Sequence, residues 1–226
     1  MQSFPTVLTR RDALRRRRGA PARRGCAPVL AGPRPLRCHV PAAGHAGRRA
    51  PDREPALEET PTPAVPYPPT HWIPADPANY TVSARPESYP VDFVVVHVTE
   101  ETFPDARRIF QNPRAKVSAH YMVASADGYI GQFVREKDIA WHAGNWNYNT
   151  RSIGIEHEGW TDRPEYFTDA LYRSSARLTA ALCARYGIPR TRERILGHIE
   201  VPGATHTDPG PHWDWNRYMR LVIAGG

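Results

Sequence analysis

Residues 91–98 read Val-Asp-Phe-Val-Val-Val-His-Val. Near-continuous β-branched residues of this kind make a buried strand, without the polar alternation of one that faces water. A chain that contains such a strand builds a sheet and packs other layers against it. Three more runs have strand character: 118–124, 129–134 and 151–158. Asp127-Gly128 stands between the first two, a good hairpin signal. In the third run, Ile153, Ile155 and His157 fall on one face, with Gly154, Glu156 and Glu158 on the other. Residues 194–196 form a short extended piece that runs into Gly197-His198.

Three helices are expected beside these strands. Residues 104–112 carry Pro104 in the first turn and are followed by Pro113. Thr168 can cap a long helix reaching Tyr186, with Leu171, Leu178 and Leu182 in one apolar stripe. Gly187 and Pro189 end it. Residues 211–223 form a closing helix with Trp215, Met219 and Val222 on its buried side. No regular βαβ rhythm is present, so the expected fold class is α/β, a mixed central β-sheet flanked by helices, with a disordered N-terminal tail.

The tail is defined by charge and proline. Residues 1–50 hold twelve arginines and one acid, a net of +11, and the remaining residues hold 18 basic and 22 acidic side chains, a net of −4. Seventeen of the 24 prolines lie in residues 1–90. An Ala/Gly/Pro/Arg segment buries too little surface to offset its chain entropy. Residues 51–69 read as a proline-rich linker. The expected organisation is a disordered tail and linker over 1–69 and one folded domain over 70–226. With a net of −4 over residues 51–226, the chain beyond the tail offers no electrostatic case for nucleic-acid binding. No run approaches the ~18–20 apolar residues of a membrane span.

Thr9-Arg10-Arg11-Asp12-Ala13-Leu14 resembles a twin-arginine export start, but arginines occupy 15–18, where an apolar stretch is needed. Three readings of the tail stand: a disordered arginine-rich segment, an export signal that places the protein in the envelope or outside the cell, or a mistranslated frame of GC-rich DNA, which yields Arg, Ala, Gly and Pro. A cytoplasmic location stays open. Cys26 and Cys38 lie in the tail and Cys183 on the long helix, so no disulfide is required. The chain is expected to act as a monomer.

Seven of the ten histidines lie between 97 and 212. His97 ends the apolar strand, His198 follows Gly197, and Asp208 comes ten residues later in Thr207-Asp208-Pro209-Gly210. Two imidazoles and a carboxylate are a usual ligand set for catalytic zinc, with the fourth position left for water. Spacing alone leaves another reading open, in which His97 is a satisfied polar residue at a strand end.

Five ordered segments carry a resemblance: VVVHVT (94–99), SAHYMVASADGYIGQFV (118–134), AWHAG (140–144), SIGIEHEG (152–159) and GHIEVPGATHTDPGPHWDW (197–215). Together they resemble the N-acetylmuramoyl-L-alanine amidase type 2 family, zinc amidases related to peptidoglycan recognition proteins. The resemblance implies zinc (Zn2+) on His97, His198 and Asp208, and a substrate drawn from peptidoglycan or muropeptides. An aspartate as third ligand is similar to the anhydromuropeptide subgroup; the phage-lysozyme branch has cysteine there. That branch also uses a tyrosine where this chain has Ala119. In the aspartate subgroup the glutamate of the Ile-Gly-Ile-Glu strand works instead, which is Glu156 here. His206 stands where many relatives have lysine. Lysine stays charged at any usual pH, whereas an imidazole is protonated only in part near neutrality. Trp141 and His142 resemble the family segment that walls the cleft, with a core tryptophan as the other reading of Trp141. Asn145 lies in a polar-aromatic loop able to line a substrate groove, or to be an ordinary surface loop. His120 and His157 read as structural.

The resemblance implies hydrolysis of the amide between the lactyl group of N-acetylmuramic acid and L-alanine, with Glu156 and His206 as the catalytic pair. The alternative is a non-catalytic muropeptide-binding module. Such modules usually lack a metal ligand, and this chain has candidates for all three.

Overall fold

A computed structural model describes residues 65–225. The expectations for the tail, its export-like start, Cys26 and Cys38 lie outside the described residues, as does most of the linker. Among the described residues, no helix is long and apolar enough to cross a membrane.

Six strands make one mixed sheet: β1 (His71–Trp72), β3 (Phe93–Val96), β4 (Tyr121–Val123), β5 (Ile130–Gln132), β7 (Ser152–His157) and β8 (Ile195–Gly197). Their order is β1-β5-β4-β7-β3-β8. Only the β4–β5 hairpin is antiparallel; the other neighbours run parallel. A second, two-stranded sheet pairs β2 (Tyr80–Thr81) with β6 (Ile139–Ala140). The expected α/β class with a mixed central sheet is what the chain adopts.

The all-apolar strand finds cover on both sides. Val94 and Val96 pack with Ile153, Ile155, Tyr121 and Ile195 in the larger core cluster, and Val95 belongs to a smaller cluster with Ala143 and Val201. The larger cluster lies under α3 (Asp169–Tyr186) and α4 (Trp215–Ala224). Thr168 caps α3 by accepting from the amide of Leu171 at 3.2 Å. Leu171, Leu178 and Leu182 are fully buried along one side of the helix. Gly187, with φ of 66°, closes it. On the other side, Met122, Phe133 and Ala119 pack against Ala106 and Phe110 of α1 (Phe103–Phe110). The Asp127-Gly128 turn presses on α3: a Cβ at Gly128 would lie 2.6 Å from the carbonyl of Ala170.

The closing helix starts later than expected. It begins at Trp215, because the carboxylate of Asp214 accepts from the amide of Arg217 at 2.9 Å and so sets the first turn. Tyr218 and Val222 are buried, and Trp215 and Met219 pack partly against the core.

Arg85 is a structural hub that its proline-rich neighbourhood conceals. Its side chain is 3% exposed. It donates to the carbonyls of Glu136 (2.7 Å), Asp138 (2.6 Å), Thr150 (3.1 Å) and Ser152 (2.8 Å). Without it, four carbonyls lose a charged donor. Arg85→Leu is expected to lower the unfolding free energy of the full chain by about 3 kcal/mol or more in urea denaturation. Arg85→Lys is expected to recover less than half, since an ammonium cannot reproduce the guanidinium fork. A loss below about 1 kcal/mol for the leucine variant would show that water serves those carbonyls equally well.

Candidate functional site

β3 and β8 are parallel neighbours, so the residues that follow them emerge at the same edge of the sheet. His97 follows Val96, and His198 opens a short 3-10 turn after Gly197. The next loop folds back, and the amide of Ile199 donates to the carbonyl of Asp208 at 3.0 Å. This puts the Asp208 carboxylate between the two imidazoles. Oδ2 lies 3.2 Å from His97 Nδ1, and Oδ1 lies 3.1 Å from His198 Nδ1. Oδ2 also accepts from the amide of Val98 at 3.3 Å.

All three side chains are buried, and one ligand atom from each lies within 4.8 Å of the others. A tetrahedral ion with bonds of ~2.0–2.1 Å needs donor atoms about 3.3 Å apart. Nitrogen, nitrogen and carboxylate oxygen at these separations suit a divalent ion, so the cluster can hold a metal. Burial holds the His97 imidazole below its ordinary value, against the pull of Asp208. For Asp208, burial pushes upward, but the adjoining His198 and His97 imidazoles outweigh it and hold the carboxyl below the usual carboxylate range. Neutral imidazole and ionised carboxylate are the forms that bind metal.

Glu156 stands one strand away. It projects from β7 on the face opposite Ile153 and Ile155, as the alternation predicts. Its Oε2 is buried and has no hydrogen-bond partner. Burial first, then the negative charge of Asp208, pushes its carboxyl well above the ordinary value. It lines a cavity of about 470 Å³ together with His97, His198, His206 and Asp208. A second cavity, of about 490 Å³, opens on the other side of His198 and His206, walled by Lys116, Trp141 and Trp146. The two share His142, His198 and His206, so the cluster sits where two arms of a groove meet.

The other expected residues divide. His206 is exposed and stacks on His198, with ring centroids 5.0 Å apart. Trp141 lines the second cavity and donates from Nε1 to Thr81 at 3.0 Å. His142 touches both cavities, yet it is buried and both of its ring nitrogens are engaged within the protein. Asn145 departs from the expectation and lines neither cavity. It caps α2 (Trp146–Arg151), accepting from Tyr148, and donates to the carbonyl of Pro202 at 3.0 Å. It therefore ties α2 to the loop that carries His206.

Several lining residues have no sequence signal. Glu100 and Lys116 each line one arm, and among the described residues they are the non-glycine residues with positive φ, 52° and 58°. Backbone of that kind in ordinary side-chain-bearing residues gathers at functional sites. Ile109 and Phe110 reach the first cavity from the end of α1, which the sequence marks only as a short helix between two prolines.

An unpaired carboxylate next to a metal-competent cluster, at the floor of a groove, is equipped to split polar bonds with water. That is the chemistry of a hydrolase. Residues 87–211 match the family described as N-acetylmuramoyl-L-alanine amidase, and the chain belongs to that family of amidases. It is 36% identical over 172 residues to N-acetylmuramoyl-L-alanine amidase A of Achromobacter lyticus, spanning 69% of this chain and 94% of that protein. It is 36% identical over 152 residues to the 1,6-anhydro-N-acetylmuramyl-L-alanine amidase AmpD of Haemophilus influenzae, spanning 62% of this chain and 78% of the relative. A crystal structure of an AmpD selenomethionine derivative superposes with a TM-score of 0.57 at 31% identity, over 70% of this chain and 97% of that one.

The histidines around the site make the fold sensitive to acid. Burial pushes the His157 imidazole down to about 3. Burial, followed by the charge of Arg85, holds His120 well below its ordinary value. An unfolded chain protonates these rings near pH ~6.5, while the folded chain keeps them neutral. The unfolded state then binds more protons, so stability is lost as pH falls below that value. The expected slope reaches about 1.4 kcal/mol per pH unit for each ring. Urea midpoints at pH 7.5 and pH 5.5 measure it, and equal midpoints would contradict the neutral assignment.

Proposed function

We propose that this chain is a zinc amidase that hydrolyses the bond between the lactyl group of N-acetylmuramic acid and L-alanine in peptidoglycan or muropeptides. His97, His198 and Asp208 hold the ion. When bound, it supplies Lewis-acid polarisation of the scissile carbonyl and acidifies water. The observation that carries the reading is Glu156: it lines the same cavity as the three ligands, and its buried Oε2 has no hydrogen-bond partner. A module that only binds has no use for so costly a group.

The Glu156 carboxylate takes a proton from the attacking water and passes it to the departing amide nitrogen. One C–O bond forms and one C–N bond breaks, leaving a lactyl carboxylate and the free amino group of L-alanine. His206 is exposed above the cluster and stacked on His198, within the groove. From there a ring N–H can donate to the oxyanion of the tetrahedral intermediate. Trp141 and Trp146 offer flat faces in the second arm, suited to the sugar-peptide portion. The names of the relatives support muropeptide as the substrate class.

Full-length protein incubated with an anhydromuropeptide is expected to release the stem peptide with a free L-alanine amino terminus. A chelator abolishes the release, and added zinc restores it. Glu156→Gln is expected to lower kcat by about 10²–10⁴-fold while still binding one zinc per chain. Full activity in Glu156→Gln would remove that carboxylate from the mechanism. No release by zinc-loaded wild type, from muropeptide or polymer, would overturn the assignment.

A further inference from the structure

Both ring nitrogens of His97 are committed. Nδ1 faces Asp208, and Nε2 lies 2.9 Å from Nδ1 of His142. The far nitrogen of His142, Nε2, lies 3.2 Å from the hydroxyl of Ser152. That hydroxyl donates to the carbonyl of Tyr148 at 2.6 Å. The polarity of the whole chain can be read from this last link.

A carbonyl only accepts, so the one hydrogen of Ser152 is spent on Tyr148. Toward His142 the serine can then only accept, which puts the imidazole hydrogen of His142 on Nε2. His142 lies against His97, His120 and Ser152, without a carboxylate beside it, and a buried ring in such company is neutral. A neutral imidazole has one N–H, so Nδ1 of His142 is bare and accepts. His97 must supply that hydrogen from Nε2. Its own Nδ1 is left bare, pointing into the cluster.

The seat of His142 is shaped for this role. An added Cβ at Gly154 would lie 2.5 Å from Cγ of His142, so the ring rests directly on the β7 backbone. The side chain of Asn149 accepts from the amides of His142 (3.1 Å) and Ala143 (2.8 Å), which fixes the backbone that carries the ring.

We propose that His142 is a positioning residue: through Ser152 and the Tyr148 carbonyl it fixes the His97 tautomer and presents Nδ1 as the ligand nitrogen. The inference rests on His97 being a metal ligand. Outer partners of ligating histidines typically contribute 10–100-fold in metal affinity.

Zinc affinity of the full chain, from competition with a chromophoric chelator, tests it, alongside the visible spectrum of the cobalt-substituted protein. His142→Leu removes the acceptor and is expected to weaken zinc binding by about 10–100-fold. His142→Asn places an amide oxygen near the position of Nδ1 and is expected to restore most of that affinity. Ser152→Ala frees the His142 tautomer with little loss of volume. It is expected to weaken zinc binding and shift the cobalt bands, and it keeps the test open if His142→Leu does not fold. Wild-type affinity and spectrum in Ser152→Ala, or a His142→Asn no tighter than a folded His142→Leu, would overturn the inference while leaving the metal site standing. A wild-type chain that binds no zinc, or an Asp208→Ala variant that binds it as tightly, would sink the metal site and the inference together.

Discussion

β3 has a parallel partner on each side, and the site follows from that pairing. Parallel strands deliver their ends to the same edge, so His97 and His198 arrive together without any contact between their distant sequence positions. Glu156 comes from the neighbour on the other side, where Val96 pairs with Ile155. Register matters as much as direction. A slip of one residue in β7 would turn Glu156 into the apolar core and bring Ile155 to the groove. Val94 and Val96 lie in one cluster with Ile153 and Ile155, so the apolar face that stabilises the sheet also aims the carboxylate.

His97 is held from its backbone as well as from its ring. Its amide donates to Ile155 at 2.9 Å, and its carbonyl accepts from the amide and the Nδ1 of His157. His157 continues to Ser175 at 2.6 Å, Ser175 to Tyr218 at 2.9 Å, and Tyr218 to Thr179 at 2.7 Å. This buried polar rod joins β7 to α3 and α4. Every member has a partner, which offsets the cost of burying hydroxyls and a neutral imidazole in the core. Two hydrogen-bonded paths thus converge on His97, one reaching its main chain from the helical layer and one reaching its side chain through His142.

Much of this was open to a reading of the sequence, and the divide has a physical cause. The valine run, the Ile-Gly-Ile-Glu alternation, the Asp127-Gly128 turn and the leucine stripe of α3 are local patterns, and local patterns survive without coordinates. The last helix starts at Trp215, four residues beyond Pro211, because the Asp214 cap sets its first turn. The spacing of His97, His198 and Asp208 alone leaves a second reading open, and the family resemblance is what favours a metal-competent cluster. Asn145 looked like a groove residue and is a tether, since its partner, Pro202, lies far along the chain. His142 looked like cleft wall and is wired to His97, an arrangement no periodicity encodes. Glu100 and Lys116 owe their place to backbone angles that neither residue type announces.

Arg85 lies upstream of the five recognisable segments and just before residue 87, where the family match starts. Yet its guanidinium clamps Ser152, the first residue of β7, and Thr150, in the helix leading into it. Recognition and foldability therefore have different borders in this protein. A fragment cut to the motif-bearing span would keep every reactive group and discard the clasp that holds their scaffold shut.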